Sequence, residues 1–297
     1  MHRYLRAIGF SKYKTTRDVQ PLLGMVIQKP SGSEMVCEGD TVFGHVYRTF
    51  GDRLGICTYG EFEEDKTFRE DYYFPYAESD TISTRANCMV ERHADKNSYG
   101  GLCEEPSIGV SLIFYLTNSM EYVRRSAGGN EVEILGVALM GLSDSGKILL
   151  PLHKTEKERA TSSMAVRNRG SLMEAARNGD EEAMENLTLE DMLLVSRIAG
   201  RISQKEDIYS LVDTCFMPFG LESDQYSVIG EILRIEELKN ILTGEELYRM
   251  LIDCNDVKFG IIINKADLLG EPQVGRRFKG EIWLQGKAEF KEDGTAK

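Results

Sequence analysis

Val19, Leu22, Leu23, Val26 and Ile27 recur at i, i+3, i+4, i+7 and i+8 and predict one amphipathic helix. Thr16 is placed to cap it, Pro21 falls in its first turn and Lys29-Pro30 ends it. A short helix stopping at Gly9 precedes it. From residue 34 the period changes to two. The β-branched and aromatic runs 41–50, 54–62, 68–76, 88–93, 109–117 and 132–142 predict strands of one mostly antiparallel sheet, with a helix at 118–125 ended by Gly128-Gly129. Between 155 and 205 the composition turns to Ala, Met, Glu and Arg. Asp180 is the expected N-cap of a helix there, and Thr188 with Asp191 three residues on resembles a capping box that starts another. The strand signal returns at 226–235, 247–254, 258–264 and 277–290, with turns at Thr243-Gly244, Asn255-Asp256 and Gly270-Glu271-Pro272.

The expected class is therefore α+β. Residues 1–153 form a mostly antiparallel sheet domain with helices, 154–205 a helical connector, 206–290 a small β-barrel of OB type, and 291–297 a polar tail. The 297 residues are 41% hydrophobic, which suits a packed core and excludes a disordered chain.

The net charge of -12 is spread as -5 over 1–153, -5 over 154–225 and -2 over 226–290, so no segment is basic enough to bind nucleic acid by charge alone. Six Cys at 37, 57, 88, 103, 215 and 254 show no C-x-x-C pair and are expected to be reduced. The start Met1-His2-Arg3-Tyr4-Leu5-Arg6 lacks an apolar stretch behind its arginines, and the run 110–116 is too short to span a bilayer. A cytoplasmic location without membrane attachment is expected.

Two strings imitate nucleotide-binding elements. Gly141-Leu142-Ser143-Asp144-Ser145-Gly146-Lys147 matches G-x-x-x-x-G-K, but Ile148 stands where a P-loop needs Ser or Thr for Mg²⁺, and Ile148-Leu149-Leu150-Pro151 reads as a strand where a helix must begin. A hairpin turned at Asp144-Ser145-Gly146 is expected instead. Asn264-Lys265-Ala266-Asp267 matches the guanine-reading N-K-x-D, yet no D-x-x-G lies between Lys147 and Asn264. Cys88 and His93 have no second ligand pair, so neither a metal nor a cofactor is expected. Of the histidines at 2, 45, 93 and 153, His93 is the candidate base, beside the aromatic cluster Phe68, Tyr72, Tyr73, Phe74 and Tyr76, which fills core or lines a ligand groove.

In the run 277–290, alternation places Phe278, Ile282, Leu284, Ala288 and Phe290 on one face, and Lys279, Glu281, Trp283, Gln285, Lys287 and Glu289 on the other. The single Trp thus stands among charged neighbours. Either the helical connector packs over it, or Trp283 with Arg276, Arg277, Lys279 and Lys287 anchors a partner.

Met1-His2-Arg3-Tyr4-Leu5-Arg6-Ala7-Ile8-Gly9-Phe10, the run Tyr72-Tyr73-Phe74-Pro75-Tyr76, the segment 207–231 and residues 264–286 with Gly275-Arg276-Arg277-Phe278-Lys279-Gly280 resemble the bacterial family catalogued as domain of unknown function 3881. The resemblance runs nearly end to end. It implies a cytoplasmic bacterial protein, transfers no catalytic residue, and suggests that both nucleotide-like strings belong to a non-GTPase fold. The function expected is non-enzymatic binding of another protein. Two alternatives stand beside it: single-stranded nucleic-acid binding through the C-terminal barrel, and a small-molecule enzyme near His93 and residues 72–76.

Overall fold

The structure, a computed structural model, describes residues 2–291 except 39–40, 64–66, 93–97, 106, 109, 128, 130–131, 153–163, 165–167, 174, 177, 204–211 and 220–223. The chain opens with a 3-10 turn, Arg3–Ile8, that ends at Gly9. Gly9 has φ 89°, and a Cβ there would lie 2.7 Å from Asn240 Cβ, so both the conformation and the close approach require glycine. In helix α1 (Thr16–Gln28) the cap is Thr15, one residue before the expected Thr16, in a reciprocal capping box with Asp18. Its apolar stripe, Val19, Leu22, Leu23 and Val26, is buried as the spacing predicts.

The strands divide between two sheets. β1 (Gly32–Glu38), β2 (Thr41–Gly51), β3 (Leu54–Phe62) and β4 (Phe68–Ala77) make an antiparallel meander. The second sheet holds β5 (Cys88–Arg92), β6 (Tyr99–Glu105), β7 (Val110–Leu116), β8 (Ile134–Ser143), β9 (Gly146–Leu149), β10 (Cys215–Pro218), β11 (Gln225–Lys239), β12 (Glu246–Cys254), β13 (Val257–Asn264), β14 (Leu268–Leu269) and β15 (Arg277–Phe290). The single N-terminal sheet expected from the strand pattern is thus corrected. Its first three runs pair with one another and with β1, whereas 88–92, 110–116 and 134–143 join the large sheet. Alternation specifies which side chains share a face but not which strand edge they meet.

β11 pairs antiparallel with β12 and β12 with β13; β13 is parallel to β8; β8 is antiparallel to β15, and β15 pairs back on β11. Hydrogen bonding therefore crosses the division drawn between 1–153 and 206–290, because β8 lies between β13 and β15. The turn between β12 and β13 has Asn255 and Asp256 at φ 55° and 67°, the left-handed pair that a two-residue hairpin requires. One apolar core contains Val137, Leu139, Val228, Met250, Phe259, Ile261, Phe278 and Leu284 from the five mutually paired strands. The other unites Met140, Leu142, Leu247, Ile262 and Trp283 with the N-terminal turn, α1 and strands β3 and β4.

Three further expectations are corrected. Residues 144–146 do not turn a hairpin: β8 and β9 both pair antiparallel with β15, Leu284 opposite Gly141 and Gly280 opposite Gly146, so the chain continues in one direction. Three residues of β15, 281–283, face four of the other chain, 142–145, and Ser143 Oγ lies 2.9 and 2.8 Å from the carbonyls of Ser145 and Glu281. The apparent P-loop is this extra residue absorbed within an extended segment. The cysteines are not all reduced, since Cys88 and Cys103, directly opposed on β5 and β6, form a disulfide. Thr188 starts no helix. It lies inside helix α3 (Glu181–Ser203) and its hydroxyl donates to the Met184 carbonyl at 2.8 Å, the local bond by which a mid-helix Thr satisfies itself. Asp180 does cap this helix, accepting from the N–H groups of Glu182 and Ala183 at 3.0 and 3.1 Å. Between β7 and β8 stands helix α2 (Ser119–Ser126). Among the described residues no helix is long and apolar enough to cross a membrane.

Candidate functional site

Cross-strand register in the small sheet sets side chains in rows on one face. Glu34 opposes His45, His45 opposes Tyr59 and Tyr59 opposes Tyr72; one row on, Gly32, Tyr47, Cys57 and Phe74 align; then Thr49, Gly55 and Tyr76. A Cβ on Gly32 would come within 2.4 Å of the Tyr47 hydroxyl, and one on Gly55 would meet the Arg48 carbonyl at 2.1 Å and the Tyr76 hydroxyl at 2.8 Å. This face, the start of α2 with Thr117 and Asn118, and Lys287 of β15 enclose a cavity of about 440 Å³.

His45 forms the end wall. It is only 6% exposed, its Nδ1 lies 3.3 Å from the Tyr59 hydroxyl, and that hydroxyl lies 2.6 Å from Ser119 Oγ. On the other side Nε2 lies 3.9 Å from Glu34, whose carboxylate also accepts from Arg124 at 2.8 Å. Burial holds the His45 pKa below its ordinary value, with Glu34 opposing. The imidazole is therefore neutral at pH 7. Burial also pushes the Cys57 thiol and the Tyr59 and Tyr76 hydroxyls up, so each keeps its proton. Lys287 Nζ lies 3.1 Å from both oxygens of Glu78.

The five candidate binding residues are not brought together. Trp283 is 6% exposed, and among the described residues its cover comes from the N-terminal turn and β7: its indole packs on His2, Tyr4 and Tyr115 at ring-centre distances of 4.6, 5.7 and 5.3 Å, and Nε1 donates to Asp224 at 2.7 Å. Neighbouring Gln285, fully buried, donates to the Pro75 carbonyl at 2.8 Å and accepts from Ala77 N at 3.3 Å, joining the two sheets. The polar face of β15 is thus a second buried face wherever the N-terminal turn and β4 cover it. Arg277 is buried and donates to the carbonyls of Leu150 and Val212. Arg276 donates to the Glu271 carbonyl at 2.9 Å, and Lys279 stands opposite Lys147 on β9. Only Lys287 reaches the cavity. His93 lies outside the described residues, and Cys88 is in the disulfide. Of the aromatic run, Tyr72 stacks on Tyr59 at 5.1 Å, whereas Phe74 and Tyr76 line the cavity.

The N-K-x-D string is used to hold the N-terminus. Asp267 accepts both guanidinium contacts of Arg6, Asn264 Nδ2 donates to Glu245 at 2.6 Å, and Lys265 pairs with Glu237 at 2.6 Å above the Tyr248 ring. Glu245 in turn accepts from Ser11 Oγ at 2.9 Å. No side chain of the string is left for a base. Sequence reasoning missed His45, Glu34 and Cys57, whose only signal was a histidine within an alternating strand.

These features define a mostly β protein of α+β class whose two sheets and second helix bound a polar, aromatic-walled cavity. The family model described as a domain of unknown function with an E. rectale gene description, DUF3881, matches residues 5–286. The chain belongs to that family. No curated protein and no solved structure matches it.

Proposed function

We propose that the protein is a non-enzymatic binding protein whose ligand is a small molecule held between the four-stranded sheet and α2. The observation that carries this is the cavity itself: about 440 Å³, within the usual range for small-molecule sites, walled by apolar rings and by a few fixed polar groups. Its potential nucleophiles support binding over catalysis, since burial keeps Cys57 and Tyr76 protonated. Thr49→Trp fills the cavity from a half-exposed strand position. Native mass spectrometry of the purified chain is expected to show a small molecule, or uptake from a fragment library, that this variant loses; equal uptake by both proteins refutes the site.

We also propose that β11, β12, β13, β8 and β15 constitute the OB-like barrel, with β8, the strand that completes it, preceding the other four in the chain. Support comes from the pairings that return to β11 and from the apolar side chains they share. A nucleic-acid role for this unit would need stacking rings on its outer face. Trp283 there is already buried against Tyr4 and against Tyr115 of the neighbouring β7. A protein partner finds its support elsewhere, in Leu189, Met192 and Leu193 of α3, which are 58%, 66% and 61% exposed at helical spacing.

A further inference from the structure

We infer that the ligand of the cavity is an uncharged, polyhydroxylated ring, a mono- or disaccharide; this rests on the reading of the cavity as a binding site. The charges around it are already matched. Lys287 holds Glu78 at 3.1 Å, Arg124 holds Glu34 at 2.8 Å, Arg125 holds Glu121 at 3.1 Å, and Arg53 holds Asp52 at 3.2 Å. A phosphate or carboxylate on the ligand would have to take a cation from one of these carboxylates and leave it desolvated beside a like charge. An ammonium would do the converse. A neutral ligand displaces nothing, and its hydroxyls bond to ionised groups that are already oriented, which gives the stronger class of hydrogen bond.

The shape of the aromatic wall points the same way. Tyr47 and Tyr76 meet edge to face, 6.3 Å apart at 86°, and so form a corner and not a parallel slot. A flat heterocycle needs two parallel faces to be sandwiched. A puckered ring presents C–H groups to one aromatic face and hydroxyls to the other edge. The hydroxyls of Tyr47 and Tyr76 make no hydrogen bond to any described residue, while Phe74 continues the apolar surface beside them.

The test is saturation-transfer NMR on the full chain with four sets of probes: neutral mono- and disaccharides, their phosphates and uronates, nucleosides, and a general fragment library. At least one neutral saccharide is expected to bind, its phosphate or uronate at least tenfold more weakly. Glu78→Gln is expected to weaken binding tenfold or more, and Tyr47→Phe and Tyr76→Phe, which remove single hydroxyls without emptying the core, severalfold each. Binding of charged sugars, nucleosides or fragments alone, lost in Thr49→Trp, overturns the saccharide class and leaves the cavity as a binding site. Saccharide binding indifferent to all three conservative variants overturns its assignment to this cavity. If no probe of any set binds, both readings fall.

Discussion

Reduction of the Cys88–Cys103 bridge tests the edge of the large sheet. β5 has five residues and among the described strands pairs with β6 alone, so the disulfide, the ladder of Cys88–Arg92 and the packing of Val90 on the core are what hold it. The bridge closes a sequence separation of 15 residues, for which the loop-entropy account gives about 3 kcal/mol of stabilisation. At roughly 2–4 °C per kcal/mol for a chain of this order of size, the melting temperature should fall by roughly 6–12 °C. Differential scanning fluorimetry with and without a phosphine reductant measures the shift, and Cys88→Ser/Cys103→Ser must melt like the reduced wild type and no longer respond to reductant. Alkylation of the unfolded, unreduced chain should label the other four cysteines, 37, 57, 215 and 254, against six after reduction. Six labels without reductant would refute the bridge. An unchanged melting temperature after complete release of both thiols would refute the energetic account, and faster amide exchange confined to β5 and β6 would show that the bridge restrains only local opening.

His45 links stability to pH. Its folded pKa lies below the ordinary 6.5, so above 6.5 neither state is protonated there, and below it the unfolded chain gains a proton that the native site resists; urea midpoints should fall as the pH drops from 7.5 to 5.5, and His45→Gln should flatten that slope. Gln285→Leu leaves the Pro75 carbonyl and the Ala77 N–H without their buried partner and should cost about 1–3 kcal/mol in urea denaturation; a loss below a few tenths would show that the amide does not join the sheets. Trp283 emission should be blue-shifted and resistant to iodide, and Tyr4→Ala should red-shift it, because Tyr4 covers the indole; an unchanged spectrum would place its cover elsewhere. Calorimetry with Mg²⁺ and GTP should give no micromolar binding, in wild type or Lys147→Ala, since the Gly141–Lys147 string lies extended along β15; wild-type binding abolished by Lys147→Ala would reverse this.

Local chemistry alone specified much of the fold. The i, i+3, i+4 stripe set α1, Gly9 its preceding stop, Asp180 the start of α3, Asn255-Asp256 a hairpin, and period-two runs most of the strands. Each is a property of a few consecutive residues, which the backbone's own sterics and hydrogen bonds can decide. The site was legible only in fragments: Lys287 and the run 72–76 were visible as candidates, while His45 was one polar residue in an alternating strand. What makes it a cavity wall is register, because Glu34, His45 and Tyr59 come from three strands and meet only when β1, β2 and β3 pair as they do. Tertiary structure also decided the second face of β15. Its sequence alternates charged residues with Trp283 and Gln285, a pattern that reads as solvent-facing, yet residues 2–4, Pro75 and Ala77, roughly two hundred positions or more away, bury its centre and satisfy its polar atoms. Burial by distant chain depends on where a whole sheet is placed, and no period within a strand encodes that.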